Sequence, residues 1–179
     1  PGGEGGHGIA DVLFGDYNPA GRLPVSIARN EGQLPIYYSK GKQRAYMDGE
    51  ANALYSFGYG LSYTKFEYRD LQIKPGNGKD VLQTVTCTVK NTGDRDGQEV
   101  VQLYIRDMVA SIAQAPILLK AFERIELKKG ESKTVTFNLG KRELSMYNVA
   151  LEEVVEPGDF KVMVGAASDD IRLEGMFKL

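Results

Sequence analysis

Val81-Leu82-Gln83-Thr84-Val85-Thr86-Cys87-Thr88-Val89-Lys90 decides the fold. Apolar or small residues alternate with polar ones, most regularly from Thr84 to Lys90, the period of a half-buried β-strand. Val85, Cys87 and Val89 fall on one face, which makes Cys87 a small buried hydrophobe rather than a reactive thiol. Similar stretches lie on either side: Phe66 to Ile73 before it, then Glu99 to Ile105, Leu118 to Leu127, Lys133 to Leu139, Phe160 to Val164 and Ile171 to Phe177. Their enrichment in β-branched and aromatic residues agrees with strand formation. Between them stand turn formers: Asn91-Thr92-Gly93-Asp94-Arg95-Asp96-Gly97, Lys128-Lys129-Gly130-Glu131 and Glu156-Pro157-Gly158-Asp159. About seven strands punctuated by turns predict an immunoglobulin-like or fibronectin-III-like β-sandwich over 63–179. With Cys87 the single cysteine, no internal disulfide is possible, which leaves the disulfide-free fibronectin-like variety.

The first 62 residues have another texture. Twelve of the 21 glycines and four of the seven prolines precede Ser62, and seven of the ten tyrosines fall between Tyr37 and Tyr68. So many breakers preclude a packed domain of regular elements. One short helix is expected from Gly8 to Phe14, closed near Gly15, followed by a turn cluster at Asp16-Tyr17-Asn18-Pro19-Ala20-Gly21. Arg22-Leu23-Pro24-Val25-Ser26-Ile27 is a candidate short edge strand. The fold class is therefore mainly β, a sandwich preceded by a Gly/Pro/Tyr-rich leader with one short helix.

Composition narrows the function classes. The chain has 179 residues, 42% hydrophobic and 26% charged, with a net charge of -2. That balance speaks against disorder and against a nucleic-acid binder, which needs a clustered basic excess. No apolar run approaches the roughly 20 residues of a membrane span. One cysteine and one histidine exclude Cys-based zinc clusters and multi-His metal sites, so no metal and no cofactor is expected. The sequence opens Pro1-Gly2-Gly3 rather than with Met, which reads as a piece cut from something longer.

Candidate chemistry is sparse. The glycine-rich opening Pro1-Gly2-Gly3-Glu4-Gly5-Gly6-His7-Gly8 could offer backbone N–H groups to an anion. It lacks the Lys-Ser/Thr of a P-loop, and no strand precedes it, so a loop needing positive φ and close backbone approach is the simpler interpretation. His7 could act as a general base but has no serine in a nucleophile-elbow pattern beside it. The 24 carboxylates single out no acid/base pair. Lys40-Gly41-Lys42-Gln43-Arg44 reads as a solvated loop. Tyr55-Ser56-Phe57-Gly58-Tyr59-Gly60-Leu61-Ser62-Tyr63-Thr64 packs aromatics among glycines; such rings stack on sugars or anchor a linker between domains, and linker packing is favoured.

Taken together, these segments resemble a family. Pro1-Gly2-Gly3-Glu4-Gly5-Gly6 and Ala10-Asp11-Val12-Leu13-Phe14-Gly15-Asp16-Tyr17-Asn18-Pro19-Ala20-Gly21-Arg22-Leu23-Pro24 are similar to the close of the α/β sandwich domain in glycoside hydrolase family 3 β-glucosidases. Tyr55 to Thr64 resembles that family's linker. Val89 to Gly93, Gly97 to Ile105, Leu119-Lys120-Ala121-Phe122-Glu123-Arg124 and Glu156 to Phe160 resemble its fibronectin-III-like domain. Ser56, Ala121 and His7 depart from the usual pattern without touching a catalytic role.

The resemblance implies three parts: 1–35 as the remnant of an α/β sandwich domain, 36–62 as an interdomain linker and 63–179 as the sandwich. It implies a retaining β-glucosidase parent acting on β-glucosides or oligosaccharides, whose Asp nucleophile and acid/base Glu precede Pro1, so Glu4 is neither. The chain's partners would be the upstream catalytic domains of the same parent. The piece itself is expected to be inactive, with Arg44 and Tyr46 near substrate and a periplasmic or secreted setting. A stand-alone carbohydrate-binding or adhesive module is the rival, and an enzyme built on His7 ranks last. Cut from its parent, the leader should leave Ile9, Leu13 and Phe14 poorly covered.

Overall fold

The computed structural model describes residues 2–40 and 50–179. Among them, seven strands build two antiparallel sheets. Strands β1 (Phe66–Pro75), β2 (Gln83–Asn91) and β5 (Ser132–Leu139) form a three-stranded sheet in the order β1-β2-β5. Strands β3 (Gly97–Asp107), β4 (Leu118–Leu127), β8 (Asp159–Ala167) and β9 (Asp170–Lys178) form a four-stranded sheet in the order β4-β3-β8-β9. The sequence predicts all seven, with ends shifted by a few residues. It misses a one-turn helix α2 (Lys141–Leu144) and a small hairpin, β6 (Met146–Tyr147) with β7 (Glu153–Val154).

The deciding stretch behaves as its alternation requires. Along β2 every second residue is buried, Gln83, Val85, Cys87, Val89 and Asn91, and their neighbours are half-buried. Val85, Cys87 and Val89 join Val101, Leu103 and Ile105 of β3 and Val162 and Val164 of β8 in a single core. Burying each such Val, Leu or Ile contributes roughly 1.5–3 kcal/mol. Cys87 sits in this core, and burial pushes its thiol up to about 11. Asn91 closes the pattern. Its amide donates to the carbonyls of Arg95 and Leu127 at 2.7 and 3.1 Å, and its oxygen accepts the Thr64 hydroxyl at 2.6 Å.

The four-stranded sheet departs from simple alternation. On its outer face Gln102, Tyr104 and Met163 are buried as well. The linker covers them: Tyr38 stacks on Phe57 with centroids 4.3 Å apart and meets Tyr104 edge-on at 6.2 Å. The continuous run Val100-Val101-Gln102-Leu103-Tyr104-Ile105 is thus a strand buried on both faces, which is why its apolar residues do not alternate strictly.

Helix α1 spans Gly5–Phe14, three residues earlier than the apolar periodicity predicts, and ends on Gly15 in the left-handed conformation at φ 86°. The glycine-rich opening is accordingly helical over much of its length. Positive φ occurs there at Gly2, and a Cβ at Gly3, Gly6 or Gly8 would meet nothing within 4 Å. Among the described residues, no close backbone approach is made at these glycines. Ile9, Leu13 and Phe14 project outward, 54%, 71% and 84% exposed, as the leader's reading anticipates.

Candidate functional site

Leader and sandwich meet at a joint built from three elements. Residues 22–27 run beside 54–59: Leu23 N–H donates to the Tyr59 carbonyl, Gly58 N–H to the Leu23 carbonyl and Ile27 N–H to the Tyr55 carbonyl, each at 2.8 Å. The expected edge strand over Arg22–Ile27 is reduced to a single bridge, Ile27 to Tyr55, since Pro24 supplies no N–H. Farther along, the Tyr63 hydroxyl donates to the Val12 carbonyl at 2.6 Å and Arg95 to the Gly15 carbonyl at 3.0 Å. Asn18 bridges the two units by accepting from Tyr63 N–H and donating to the Asp96 carbonyl, both at 2.8 Å. The tyrosine-rich linker does pack against the sandwich, but Tyr55, Tyr59 and Tyr63 remain exposed.

Two glycines in the linker are required by close approach. Gly58 has φ 86°, and a Cβ there would lie 2.5 Å from the Gln102 side chain and 2.9 Å from Ala167 Cα. A Cβ on Gly60 would collide with the Gly21 carbonyl.

The electrostatic centre of the joint is Glu99, which lies in β3 at the inward phase of Val101 and Leu103 and is 2% exposed. Arg22 of the leader donates to it at 3.1 Å from a side chain that is itself nearly buried. Its other oxygen accepts Val100 N–H at 3.2 Å. Burial lifts the Glu99 carboxyl above its ordinary range, with Arg22 and then Arg172 pulling the other way. Beside it Tyr68 carries a buried hydroxyl without a hydrogen-bond partner among the described residues. Burial, and next the charge of Glu99, push that phenol far up. Arg172 lies over the Tyr68 ring at 4.9 Å and forks onto Asp170 at 3.1 and 2.7 Å. An open cleft of about 620 Å³ stands above this cluster.

Chemically the cluster is a clamp. The one deeply buried carboxylate among the described residues is held by an arginine, and a general acid needs a proton it is free to deliver. Sequence reasoning missed Glu99, one of 24 carboxylates among which it singled out no pair. The signal was present, because Glu99 keeps the parity of Val101, Leu103 and Ile105.

Of the residues singled out from sequence, the structure brings His7 and Glu4 together. Arg44 and Tyr46 lie outside the described residues. Their described flank holds Lys40 over the Tyr37 ring at 4.5 Å, bordering a groove of about 290 Å³. His7 stands exposed on α1, paired with Glu4 at 2.9 Å, and lines neither cavity. Among the described residues no group of His, Cys, Asp and Glu is placed to hold a metal ion. No described helix is long and apolar enough to cross a membrane.

Comparison with known proteins fits this two-part build. Residues 1–63 match the family described as glycosyl hydrolase family 3 C-terminal domain, and residues 99–168 match the fibronectin type III-like domain. A periplasmic β-glucosidase of Salmonella typhimurium is 43% identical over 98% of this chain, which covers 25% of that protein. A xylan 1,4-β-xylosidase of Xylanibacter ruminicola is 40% identical over 95% of the chain and 20% of its own length. Among solved structures, a β-glucosidase from Erythrobacter marinus superposes with TM-score 0.90 at 43% identity, covering 98% of this chain and 24% of that one. The β-glucosidase of Listeria innocua bound to glucose gives 0.89 at 38% identity, over 99% and 26%. The chain thus spans about a quarter of the length of the relatives it matches. Its leader, linker and sandwich follow these enzymes almost end to end, and the chain belongs to glycoside hydrolase family 3, matching its C-terminal domain and the fibronectin-III-like domain that follows.

Proposed function

We propose that this chain is the closing, non-catalytic part of a retaining β-glycosidase, and that its sandwich braces the catalytic domains. The observation that carries this reading is the contrast at the joint. A family 3 piece is clamped to the sandwich through Arg22 and Glu99, while the apolar face of α1 stays uncovered. That face is the kind of surface a further domain packs against. The division is 1–35 as the end of an α/β sandwich domain, 36–62 as linker and 63–179 as the bracing sandwich. The nucleophile and acid/base, two carboxyl groups about 5–5.5 Å apart in retaining enzymes, belong to sequence preceding this chain.

The substrate of the longer protein is a β-glucoside or a β-linked oligosaccharide, following the names of the relatives. Arg44 and Tyr46 border the active-site mouth, Arg offering a planar donor fork and Tyr a stacking face. The periplasmic relative supports a periplasmic or secreted setting.

The test is an aryl β-glucoside assay on the purified 179-residue chain. No turnover above buffer is expected. Turnover abolished by one Asp or Glu substitution within the chain would overturn the proposal.

A further inference from the structure

The cleft above the clamp has the construction of a ligand site. At about 620 Å³ it lies within the size range of small-molecule pockets, and it occupies a seam between two structural units, where such pockets concentrate. Arg22 and Glu99 form its floor. Asp169, Asp170 and Arg172, from the β8–β9 turn and the start of β9, make one wall, and Tyr59 of the linker stands on the other. Tyr59 is about one-third exposed, with its ring centroid 4.9 Å from Tyr55 at a tilt of 35°, so the rim presents an aromatic face.

Charge matching inside the cleft selects the ligand class. Arg22 is paired with Glu99, the Arg172 fork with Asp170, and Asp169 accepts the Ser56 hydroxyl at 2.6 Å. Lys65 and Asp169, the two lining charges outside these ion pairs, are of opposite sign, so the lining is neutral overall and gives neither an anion nor a cation a net attraction. A neutral polyol needs none. Carboxylate oxygens keep spare lone pairs after accepting one bond, guanidinium edges remain donors, and each sugar hydroxyl both donates and accepts. The walls are already fixed: Gly58 is wedged against β3 and β8, and Ser168 N–H donates to the Phe57 carbonyl at 2.9 Å. Little ordering cost therefore accompanies binding.

We propose that this cleft binds a short neutral oligosaccharide, with Tyr59 stacked on a pyranose face and Asp170 and Arg172 bonded to its hydroxyls. No bond is broken there. A failure here leaves the hydrolytic assignment standing, since that rests on turnover and not on binding.

The experiment is titration of the 179-residue chain with cellobiose, xylobiose and cellotetraose, followed by backbone amide NMR. Saturable shifts confined to residues 58–66 and 166–172 are expected. Tyr59→Ala and Asp170→Asn should each weaken binding about tenfold, the size of effect typical of a stacking or charge-assisted contact. Tyr147→Ala, on the distant β6–β7 hairpin, should change nothing. If Tyr59→Ala loses its dispersed spectrum, the exposed Asp169→Asn serves as the second variant and should also weaken binding. Three results overturn the proposal: no saturable shift with any of the sugars, shifts clustered at Tyr37, Lys40 and Ile117 instead, or saturable binding of inorganic phosphate at the cleft.

Discussion

Sandwich and leader contrast in what their apolar residues touch. In the sandwich, Val85, Leu103, Val135 and Val162 are sealed from water in one continuous core. In the leader, Ala20 is the one hydrophobic residue buried among the described residues 2–40 and 50–62. Its shape is held instead by backbone bonds, glycine fits and the Arg22–Glu99 pair. The difference teaches that the two regions are stabilised by different physics: burial dominates one, and geometry with charge the other. It also explains why the helix face carrying Leu13 and Phe14 has apolar periodicity but no core of its own.

The contrast can be broken or sharpened by substitution. The largest effect belongs to the core: Leu103→Ala should cost about 4 kcal/mol in urea unfolding, through lost transfer energy and the cavity left behind. Next comes the clamp, where the two partners are not equivalent. Arg22→Met leaves Glu99 buried without its cation and should cost about 3 kcal/mol near neutral pH. Glu99→Gln should be mild, because burial already disfavours the charged carboxyl. The pH dependence follows from the same shift. With the folded-state pKa raised, the contribution of Glu99 is fully present below its unfolded value of about 4.3 and is lost as pH rises through the higher folded value. Arg22→Met steepens that fall, so its penalty should shrink on acidification while Glu99→Gln removes the slope. A penalty for Arg22→Met that is flat from about pH 4 to about pH 7 would contradict the clamp.

Smaller still is Gly58→Ala, expected to cost about 2 kcal/mol from a positive φ and contact with the Ala167 backbone. Thermal melts of this variant should fall while the far-UV spectrum of the sandwich is retained. Least of all, Leu13→Ser should change stability by under about 0.5 kcal/mol, because Leu13 is already in water. A large loss there would mean that α1 is packed against the sandwich after all.

The legibility of the molecule in its sequence follows the same division. Seven strands could be read because runs rich in β-branched and aromatic residues stand between turn formers, and in β2 the register with the core forces a two-residue period. The β6–β7 hairpin and α2 could not, since elements of two and four residues carry no period. The N-terminal turn of α1 is written in Gly5, Gly6 and Gly8, which are poor helix formers, and local propensity gives no sign of it. Glu99 was hidden because a carboxylate in a strand suggests the wet face unless its parity is followed from Val101. Its partner Arg22 is 77 residues away, a pairing no local pattern encodes. Likewise, the continuous apolar run of β3 showed two-sided burial only once Tyr38, Phe57 and Gly58 were found lying over it.

Native-state hydrogen exchange of the 179-residue chain tests the division most directly. Amides of Val85 to Val89, Val101 to Ile105 and Val162 to Val164 should exchange only through global unfolding, whereas those of Ile9 to Phe14 should exchange through local fraying at low free energy. Protection of the helix equal to that of the central strands would contradict the account.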